Sequence, residues 1–355
     1  MKKIFFAIFA VAALASCMQD EIVSFDKGDA IAFNNAFVSN ATKALDPSTT
    51  TTSLNSFYVY GTTKGDETTA TVVNIYPGVE VTKDGTVWNY LSDYTQYWIA
   101  DNTYNFAAVA GVADKTAVTP DENGMPATID YTADGETDLL YAEANEIKGK
   151  ESGNDAVAFT FDHLLSKVKF TFTNESGASS NPGYTYKVTD IQIIGLGKEA
   201  TCDVTNYTAA VVAGDKVTTA ATNVVWSYTS TYTDAAPLEF GHIVAADCKV
   251  AGTAALAIGP ETNKNVGVSN YECLVVPQNY TAITVKCRIA LSYDASATDA
   301  IDAAEVDVLN YSKTVAVELL PGNAYNFQLK AKVGEPIKFT VTKVNTWKEN
   351  GPQDI

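Results

Sequence analysis

The sequence predicts an all-β protein built from β-sandwich domains. Short runs rich in β-branched and aromatic residues are separated by turns rich in Gly, Pro and Asn, the pattern of strands in sandwiches and barrels. No segment sustains the apolar period of a helix between recognisable caps. A chain of 355 residues, of which 46% are apolar, is long enough for about two such domains with real cores.

The predicted strands follow one another along the whole chain. The first runs from Ala30 to Val38, and a polar stretch that contains Thr49–Thr52 separates it from the rest. Further strands are predicted at residues 57–60, 70–76, 87–88, 97–99, 104–110, 156–161, 167–173, 184–196, 223–228, 249–258, 271–276, 281–293, 313–319 and 337–341. Ala300–Leu309 has the most helical character. A boundary between residues 162 and 180 divides the strands into two sets.

The first residues predict a bacterial lipoprotein. Lys2 and Lys3 precede the apolar run Ile4–Leu14, which is too short to span a bilayer as a stop-transfer helix. Leu14-Ala-Ser-Cys17 then has the pattern of a lipobox, so Cys17 is expected to be diacylated and to become the N-terminus. The alternative is an ordinary signal peptide with a chance cysteine.

The acidic residues that follow suggest where the protein is exported. Asp20 and Glu21 resemble the surface-export signal of lipoproteins in Gram-negative anaerobes, which predicts the outer face of the outer membrane; a plain solvated tether is the alternative. The formal net charge is -18. Such a surface repels nucleic acid and anionic headgroups, so neither is expected as a partner.

Catalysis is not predicted. His163 and His242 are the two histidines of the chain, and neither has a partner at metal-ligand spacing, so a structural role is favoured for both. Nucleophile elbows, phosphate-binding Gly loops and dinucleotide fingerprints are missing from the sequence, and we expect no cofactor, no metal and no enzymatic activity. A glycosidase can place its two carboxylates on any fold, which leaves a hydrolase open as an alternative.

Four cysteines follow Cys17: Cys202, Cys248, Cys273 and Cys287. The turn at residues 277–282 separates the strands of Cys273 and Cys287, and symmetry about it predicts that the two cysteines face each other. A cross-strand disulfide and two packed thiols both fit. Packed thiols are favoured, because free cysteine is commonly buried.

Aromatic residues raise a second function. Sugar rings stack on exposed aromatic side chains, and a cluster of them is available at Trp88, Tyr90, Tyr94, Tyr97 and Trp98. Half-buried strand aromatics are the favoured interpretation. A non-polymerising surface lipoprotein that binds glycans is the alternative function.

Several segments, in order, resemble the fimbrillin family, the type V pilins of Gram-negative anaerobes. The most informative is Phe159–Phe172, a strand, a His-Leu turn and a Lys-Val strand, which resembles the family signature. The supporting segments are Ser56–Gly61, Tyr104–Ala108, Leu320–Phe327 and Ile337–Val341, the last followed by Trp347. The resemblance extends over most of residues 30–350.

This resemblance implies a fold and a domain organisation. Such proteins have two tandem transthyretin-like β-sandwich domains behind a lipoprotein leader. On this chain the implied segments are a signal peptide at residues 1–16, a lipidated tether with a removable first strand at 17–43, an N-terminal β-sandwich at 44–165 and a C-terminal β-sandwich at 166–355.

The resemblance also implies an assembly mechanism. A trypsin-like protease at the outer surface clips such proteins, here between Lys43 and Ala44, and the first strand leaves. A terminal strand of the next subunit fills the vacated groove by β-augmentation, here with Ile337, Phe339 and Val341 as its apolar plugs. The implied partners are other pilin subunits, the outer membrane through Cys17, and a receptor or glycan on a host or bacterial surface. The place of the subunit as stalk, tip or anchor stays open.

Overall fold

The computed structural model shows an all-β chain, which confirms the predicted fold class. It describes residues 29–38, 54–67, 69–85, 87–175, 184–209, 211–213, 216–219, 223–240, 252–255, 272–293 and 305–344. Within these ranges the helical residues are two short 3₁₀ turns, Ser92–Tyr94 and Lys115–Ala117. Among the same residues, no helix has the length and apolar character needed to cross a membrane.

The strands are numbered in chain order. In the first half they are β1 (Phe33–Val38), β2 (Ser56–Lys64), β3 (Val72–Asp84), β4 (Val87–Asn89), β5 (Thr103–Ala110), β6 (Val118–Pro120), β7 (Pro126–Thr132), β8 (Leu140–Lys148), β9 (Val157–His163) and β10 (Ser166–Asn174). In the second half they are β11 (Tyr184–Ile194), β12 (Gly197–Asp203), β13 (Val211–Ala213), β14 (Lys216–Thr219), β15 (Val225–Thr231), β16 (Leu238–Glu239), β17 (Gly252–Ala255), β18 (Glu272–Val275), β19 (Gln278–Tyr293), β20 (Glu305–Leu319), β21 (Ala324–Ala331) and β22 (Lys338–Val344).

The first sheet has seven strands in the order β1-β9-β8-β5-β2-β3-β4. Successive side chains of a strand point to opposite faces of the sheet. In the central strands both faces are buried, and each face packs against a different core. On β5, Phe106 and Ala108 belong to a smaller apolar core, whereas Ala107 and Val109 belong to a larger one. The first sheet therefore separates the two cores of the molecule.

The second sheet joins strands from the two halves of the chain. Its order is β15-β12-β7-β6. β7 and β12 pair antiparallel, with Thr132 opposite Glu199 at one end and Thr128 opposite Asp203 at the other. Strands from both sides of residue 165 thus share one set of backbone hydrogen bonds; the domain boundary at that residue stays a prediction.

The third and fourth sheets form a sandwich around the larger core. The third sheet has the order β17-β10-β21-β22, with β18 also on β10, and the fourth has the order β16-β11-β19-β20. The ring of Phe172 on β10 lies 5.4 Å from that of Tyr186 on β11, which brings the two sheets face to face. β13 and β14 form a separate two-stranded ribbon.

Two local predictions were wrong. Ala300–Leu309 was assigned helical character, but β20 begins at Glu305 and pairs along β19, because a long register with a neighbouring strand overrides weak local propensity. Cys273 and Cys287 do not face each other across a hairpin. β18 joins β10 in the third sheet and β19 joins β11 and β20 in the fourth, so the turn between them crosses from one sheet to the other.

The cross-strand disulfide considered for Cys273 and Cys287 is not formed. Cys202, Cys273 and Cys287 are buried and not disulfide-bonded. Burial raises the pKa of Cys287 to about 12, which keeps its thiol protonated and unreactive at neutral pH.

Candidate functional site

The candidate functional site is the groove that holds the first described strand. On one side β1 runs parallel to β9, beginning with Phe33 opposite Val157. On the other side Ala30 forms an antiparallel bridge with Tyr97. The segment 29–38 is therefore held by β9 on one side and, at its start, by residues 96–98 on the other. We call the space that it occupies the first-strand groove.

Backbone hydrogen bonds fasten the start of this segment from both sides. They run from the N–H of Ile31 to the carbonyl of Gln96 (2.8 Å), from the N–H of Trp98 to the carbonyl of Asp29 (3.0 Å), and from the N–H of Val157 to the carbonyl of Ala32 (2.8 Å). The segment thus completes the hydrogen bonding of two backbone edges.

Alternate side chains of the segment fill the smaller core. Ile31 and Phe33 are 1% and 3% exposed, whereas Ala30, Ala32 and Asn34 are exposed. This alternation is what a strand needs when one of its faces is buried. The segment is part of the core and not an appendage on its surface.

Phe33 sits at the centre of an aromatic cluster. Its ring centroid lies 5.4 Å from Tyr76, 5.7 Å from Tyr90, 6.0 Å from Phe106 and 5.9 Å from Phe159. The first three contacts are edge-to-face, the arrangement that aromatic quadrupoles favour. Removal of Phe33 would open a cavity among four rings.

Two tyrosines help to line the groove. The hydroxyl of Tyr90 donates to the carbonyl of Ile31 at 2.5 Å, and it lies 3.3 Å from the hydroxyl of Tyr76. Burial raises the pKa of Tyr76 well above its ordinary value, so that hydroxyl stays protonated at every physiological pH. The Tyr90 hydroxyl is the donor that the groove provides to the backbone of its first strand.

A carboxylate anchors the beginning of the segment. Asp29 accepts hydrogen bonds from the backbone N–H of Gly153 at 2.8 Å and of Asn154 at 3.1 Å. The side-chain amide of Asn154 approaches the same oxygen at 3.5 Å. The backbone N–H of Asn154, and next that of Gly153, lower the pKa of Asp29.

The loop that holds Asp29 is organised by its own hydrogen bonds. Asn154 accepts from the N–H of Lys150 at 2.8 Å through its side-chain oxygen and donates to the carbonyl of Lys150 at 2.9 Å. Gly153 has a φ of 71°, which glycine adopts without strain. Consecutive N–H groups in such a turn form a concave anion-binding nest. We call residues 150–154 the carboxylate nest.

The predicted donor strand lies at the other end of the chain, on an edge. β22 pairs antiparallel with β21 and ends the third sheet. Ile337, Phe339 and Val341 are partly buried and pack against the larger core. The ring of Phe339 lies 5.7 Å from that of Phe327 on β21. The three predicted plugs are thus held by their own chain, less deeply than Ile31 or Phe33.

The structure does not bring the other predicted residues into one site. Cys17, Lys43, Ala44, His242, Cys248 and Trp347 lie outside the described residues. Among the residues that are described, no group of three or more His, Cys, Asp or Glu side chains could hold a metal ion.

His163 is buried at the crossover between sheets. Its Nδ1 lies 2.5 Å from Asp138 Oδ2, and the preceding Asp162 accepts from the hydroxyl of Tyr207. The carbonyl of the next residue, Leu164, accepts from the indole N–H of Trp226 at 3.1 Å. The segment Phe159–Phe172 is thus the passage from the first sheet to the third, and these contacts fix its path.

The aromatic cluster has a structural explanation. Trp88 and Trp98 are 9% and 4% exposed and belong to the smaller core. The ring of Trp98 lies 4.6 Å from that of Tyr104. Tyr94 and Tyr97 are 38% and 37% exposed. The two tryptophans therefore do not offer a face to a sugar.

Sequence reasoning missed the carboxylate nest and Tyr90 as parts of the groove. Gly153-Asn154 is a turn signal, and Asp29 precedes an alternating apolar run. Nothing in the sequence connects these two places, because the nest binds through backbone N–H groups that every non-proline residue has.

Comparisons with known proteins identify a family and an attachment site. A family described as fimbrillin-like matches residues 42–347. A prokaryotic membrane lipoprotein lipid attachment site matches residues 1–17, which supports the prediction at Cys17. No curated protein matches the chain.

Solved structures of proteins from Bacteroides and Parabacteroides align with most of this chain. A fimbrial protein from Bacteroides vulgatus is 14% identical, with a TM-score of 0.52, over 90% of this chain and 99% of its own. A proposed cell adhesion protein from Bacteroides ovatus is 18% identical, with a TM-score of 0.44, over 91% and 98%. A fimbrial assembly protein from Parabacteroides distasonis is 13% identical, with a TM-score of 0.37, over 89% and 100%. The first likeness supports the fold alone.

Fold and attachment site together define a class, the membrane-anchored lipoproteins built from β-sandwiches. Within that class the family match covers most of the sequence, and the chain belongs to the fimbrillin-like family. The family is structural and adhesive and is not a family of enzymes. Membership indicates assembly with other pilin subunits.

Proposed function

We propose that the protein is a pilus subunit or fimbrial adhesin that assembles by strand exchange. It is exported as a lipoprotein on Cys17 to the cell surface side of the outer membrane. A trypsin-like protease then cuts between Lys43 and Ala44. The first strand leaves its groove, and a terminal strand from another subunit replaces it.

One observation carries this proposal: the first strand fills the smaller core from the edge of a sheet. Ile31 and Phe33 are almost fully buried, yet their segment contacts β9 on one side and residues 96–98 on the other. A strand in this position can leave without breaking the pairing of the other six strands. What it leaves is an apolar slot flanked by two unsatisfied backbone edges, which strongly favours refilling by another strand.

The terminal strand has the properties of a donor. β22 is an edge strand that pairs with β21, and its Ile337, Phe339 and Val341 alternate as plugs must. Their partial burial means that peeling β22 from its own sheet costs less than extracting a core strand. We propose Ile337, Phe339 and Val341 as the residues that enter the groove.

The test is the N-terminus and polymeric state of protein recovered from the cell surface. Wild-type protein should begin at Ala44 by intact mass and should form filaments by electron microscopy. Lys43→Gln should instead begin at a lipidated Cys17 and form no filaments. Lys27→Gln is the matched control, because a cut before the first strand cannot release it, and it should behave as wild type. Wild-type protein that keeps its lipid and remains monomeric would contradict the proposal.

A further inference from the structure

The two ends of the proposed exchange share a sequence pattern that the groove explains. Residues 28–33 read Gly-Asp-Ala-Ile-Ala-Phe, and residues 334–339, which lead into β22, read Gly-Glu-Pro-Ile-Lys-Phe. The order acidic residue, any residue, Ile, any residue, Phe occurs at these two places in the chain and nowhere else. In the first strand each element of the pattern has a defined contact.

Resting on the strand exchange proposed above, we infer that the carboxylate nest at residues 150–154 is a recognition site for an acidic residue of the incoming strand. In the structure the nest binds Asp29 of its own chain. In an assembly of identical subunits it binds Glu335 of a second copy. Ile337 and Phe339 of that copy then occupy the places of Ile31 and Phe33.

The exposed positions of the pattern also match. Ala30 and Ala32 face solvent in the first strand, so the larger Pro336 and Lys338 can follow there without a clash in the core. Asn34 is exposed as well, and the residue that aligns with it is the polar Thr340. The alignment therefore places apolar side chains inward and the others outward, in the same chain direction as the first strand.

Proline is compatible with the position that it would take. The antiparallel bridge at Ala30 uses the carbonyl of Asp29 and the N–H of Ile31, and not the N–H of Ala30 itself. Pro336, which has no N–H, loses no bond of this bridge. The flanking Glu335 and Ile337 supply the carbonyl and N–H that it needs.

Glu335 is free to change partners. In its own chain it forms exposed ion pairs with Lys332 at 2.5 Å and Lys338 at 3.4 Å, both at short sequence distance. Pairs of this kind add little, because water and salt screen them. The nest instead offers two backbone N–H groups held in place by Asn154. A bound carboxylate fixes the strand in one register, since a slip by one residue would turn Ile and Phe outward.

The experiment uses the full chain, cut once at a specific protease site inserted within residues 39–53, so that the first strand stays bound but can be displaced. A fluorescent peptide of residues 333–344 is the competitor, and anisotropy reports its binding. The wild-type peptide should displace the first strand. Glu335→Gln in the peptide should weaken binding about fivefold, because a neutral acceptor makes weaker hydrogen bonds than a carboxylate. Thr340→Ala, at an exposed position, is the matched control and should bind as wild type.

The direction of the change in peptide affinity distinguishes recognition by the nest from long-range charge repulsion. The protein carries a formal net charge of -18, so removing a negative charge from the peptide would strengthen binding if only long-range electrostatics acted. Equal or tighter binding of the Glu335→Gln peptide would overturn the nest while leaving strand exchange intact.

A second arm judges the two proposals separately. Asp29→Asn in the nicked chain weakens the hold of the nest on the resident first strand, so the wild-type peptide should appear about fivefold tighter and the first strand should dissociate faster. If no peptide displaces the first strand, strand exchange fails as a function. The nest is then still judged by dissociation of the first strand, and equal rates for wild type and Asp29→Asn would overturn it.

Discussion

The first strand and the terminal strand are both edge strands, yet the molecule holds them very differently. The first strand buries Ile31 and Phe33 almost completely inside the smaller core. The terminal strand covers the larger core from outside, with its Ile337 and Phe339 only partly buried. The difference teaches that the smaller core needs side chains of the first strand to be complete, whereas the terminal strand contributes only partly buried side chains to the larger core.

This asymmetry would give the strand exchange proposed above a direction. A groove without its strand exposes apolar side chains and backbone groups on two edges, and a free terminal strand exposes one partly apolar face. Moving a terminal strand from a shallow site into a deep one increases the apolar area removed from water. The favourable direction is therefore filling of the groove by the terminal strand.

The largest expected effect on stability comes from truncation of Phe33, the buried aromatic residue of the first strand. Phe33→Ala should lower the free energy of unfolding of the intact chain by about 3–5 kcal/mol, the usual range for a fully buried aromatic residue. Urea denaturation followed by fluorescence measures it. A loss below about 1 kcal/mol would mean that the first strand is not part of the core.

A smaller effect is expected for the corresponding plug of the terminal strand. Phe339→Ala should cost about 1–2 kcal/mol in the same assay, because its ring is only partly buried and its neighbours can relax. Thr340→Ala, on the exposed side of the same strand, is the control. Equal losses for Phe33→Ala and Phe339→Ala would remove the asymmetry between the two strands.

Asp29, which is bound by the carboxylate nest, should make the stability of the folded chain depend on pH. The folded pKa of Asp29 lies below its ordinary value of 3.8, so its contribution is complete above about pH 4 and is lost as the pH falls through the lower folded pKa. Asp29→Asn should remove that part of the acid dependence and leave the rest. Asp155→Asn, whose side chain is 98% exposed, is the control. Identical acid unfolding curves for wild type and Asp29→Asn would contradict the anchor.

The smallest effect on stability is expected for Glu335, the residue that aligns with Asp29 in the shared pattern. Glu335→Gln in the intact chain should leave the urea midpoint unchanged within error, since its partners Lys332 and Lys338 are on the surface. The same substitution weakens the peptide in the exchange assay. A clear loss of stability in the intact chain would show that Glu335 already has a structural role before exchange.

The sequence predicted the fold class well because period-two patterns with turn signals are local. It missed β8, of which only Leu140, Tyr141 and Ala142 are buried, because its remainder is polar and shows no clean alternation. The pairing of β7 with β12 joins residues far apart in the chain, and no local signal sets that register. Side-chain patterns thus predicted many of the strands, but not β7, β8 or β12, and not which strands are neighbours.

The candidate site was predicted in part for the same reason. Alternation placed Ile31 and Phe33 in the first predicted strand, and the family resemblance, not alternation, pointed to the plugs of the terminal strand. Gly153 and Asn154 act through backbone N–H groups, so only the folded chain reveals that they meet Asp29. The shared acidic pattern of the two strands acquired a meaning once that contact was known.

The second sheet has a mechanical consequence. Because β7 and β12 are hydrogen-bonded neighbours, the parts of the chain before and after residue 165 cannot move independently about a flexible hinge. Bending at that point would have to break a ladder of backbone bonds at once. If the proposed strand exchange builds a fibre of such units, each unit is stiff, bending concentrates at the joints between units, and one inserted strand would carry the tension at each joint.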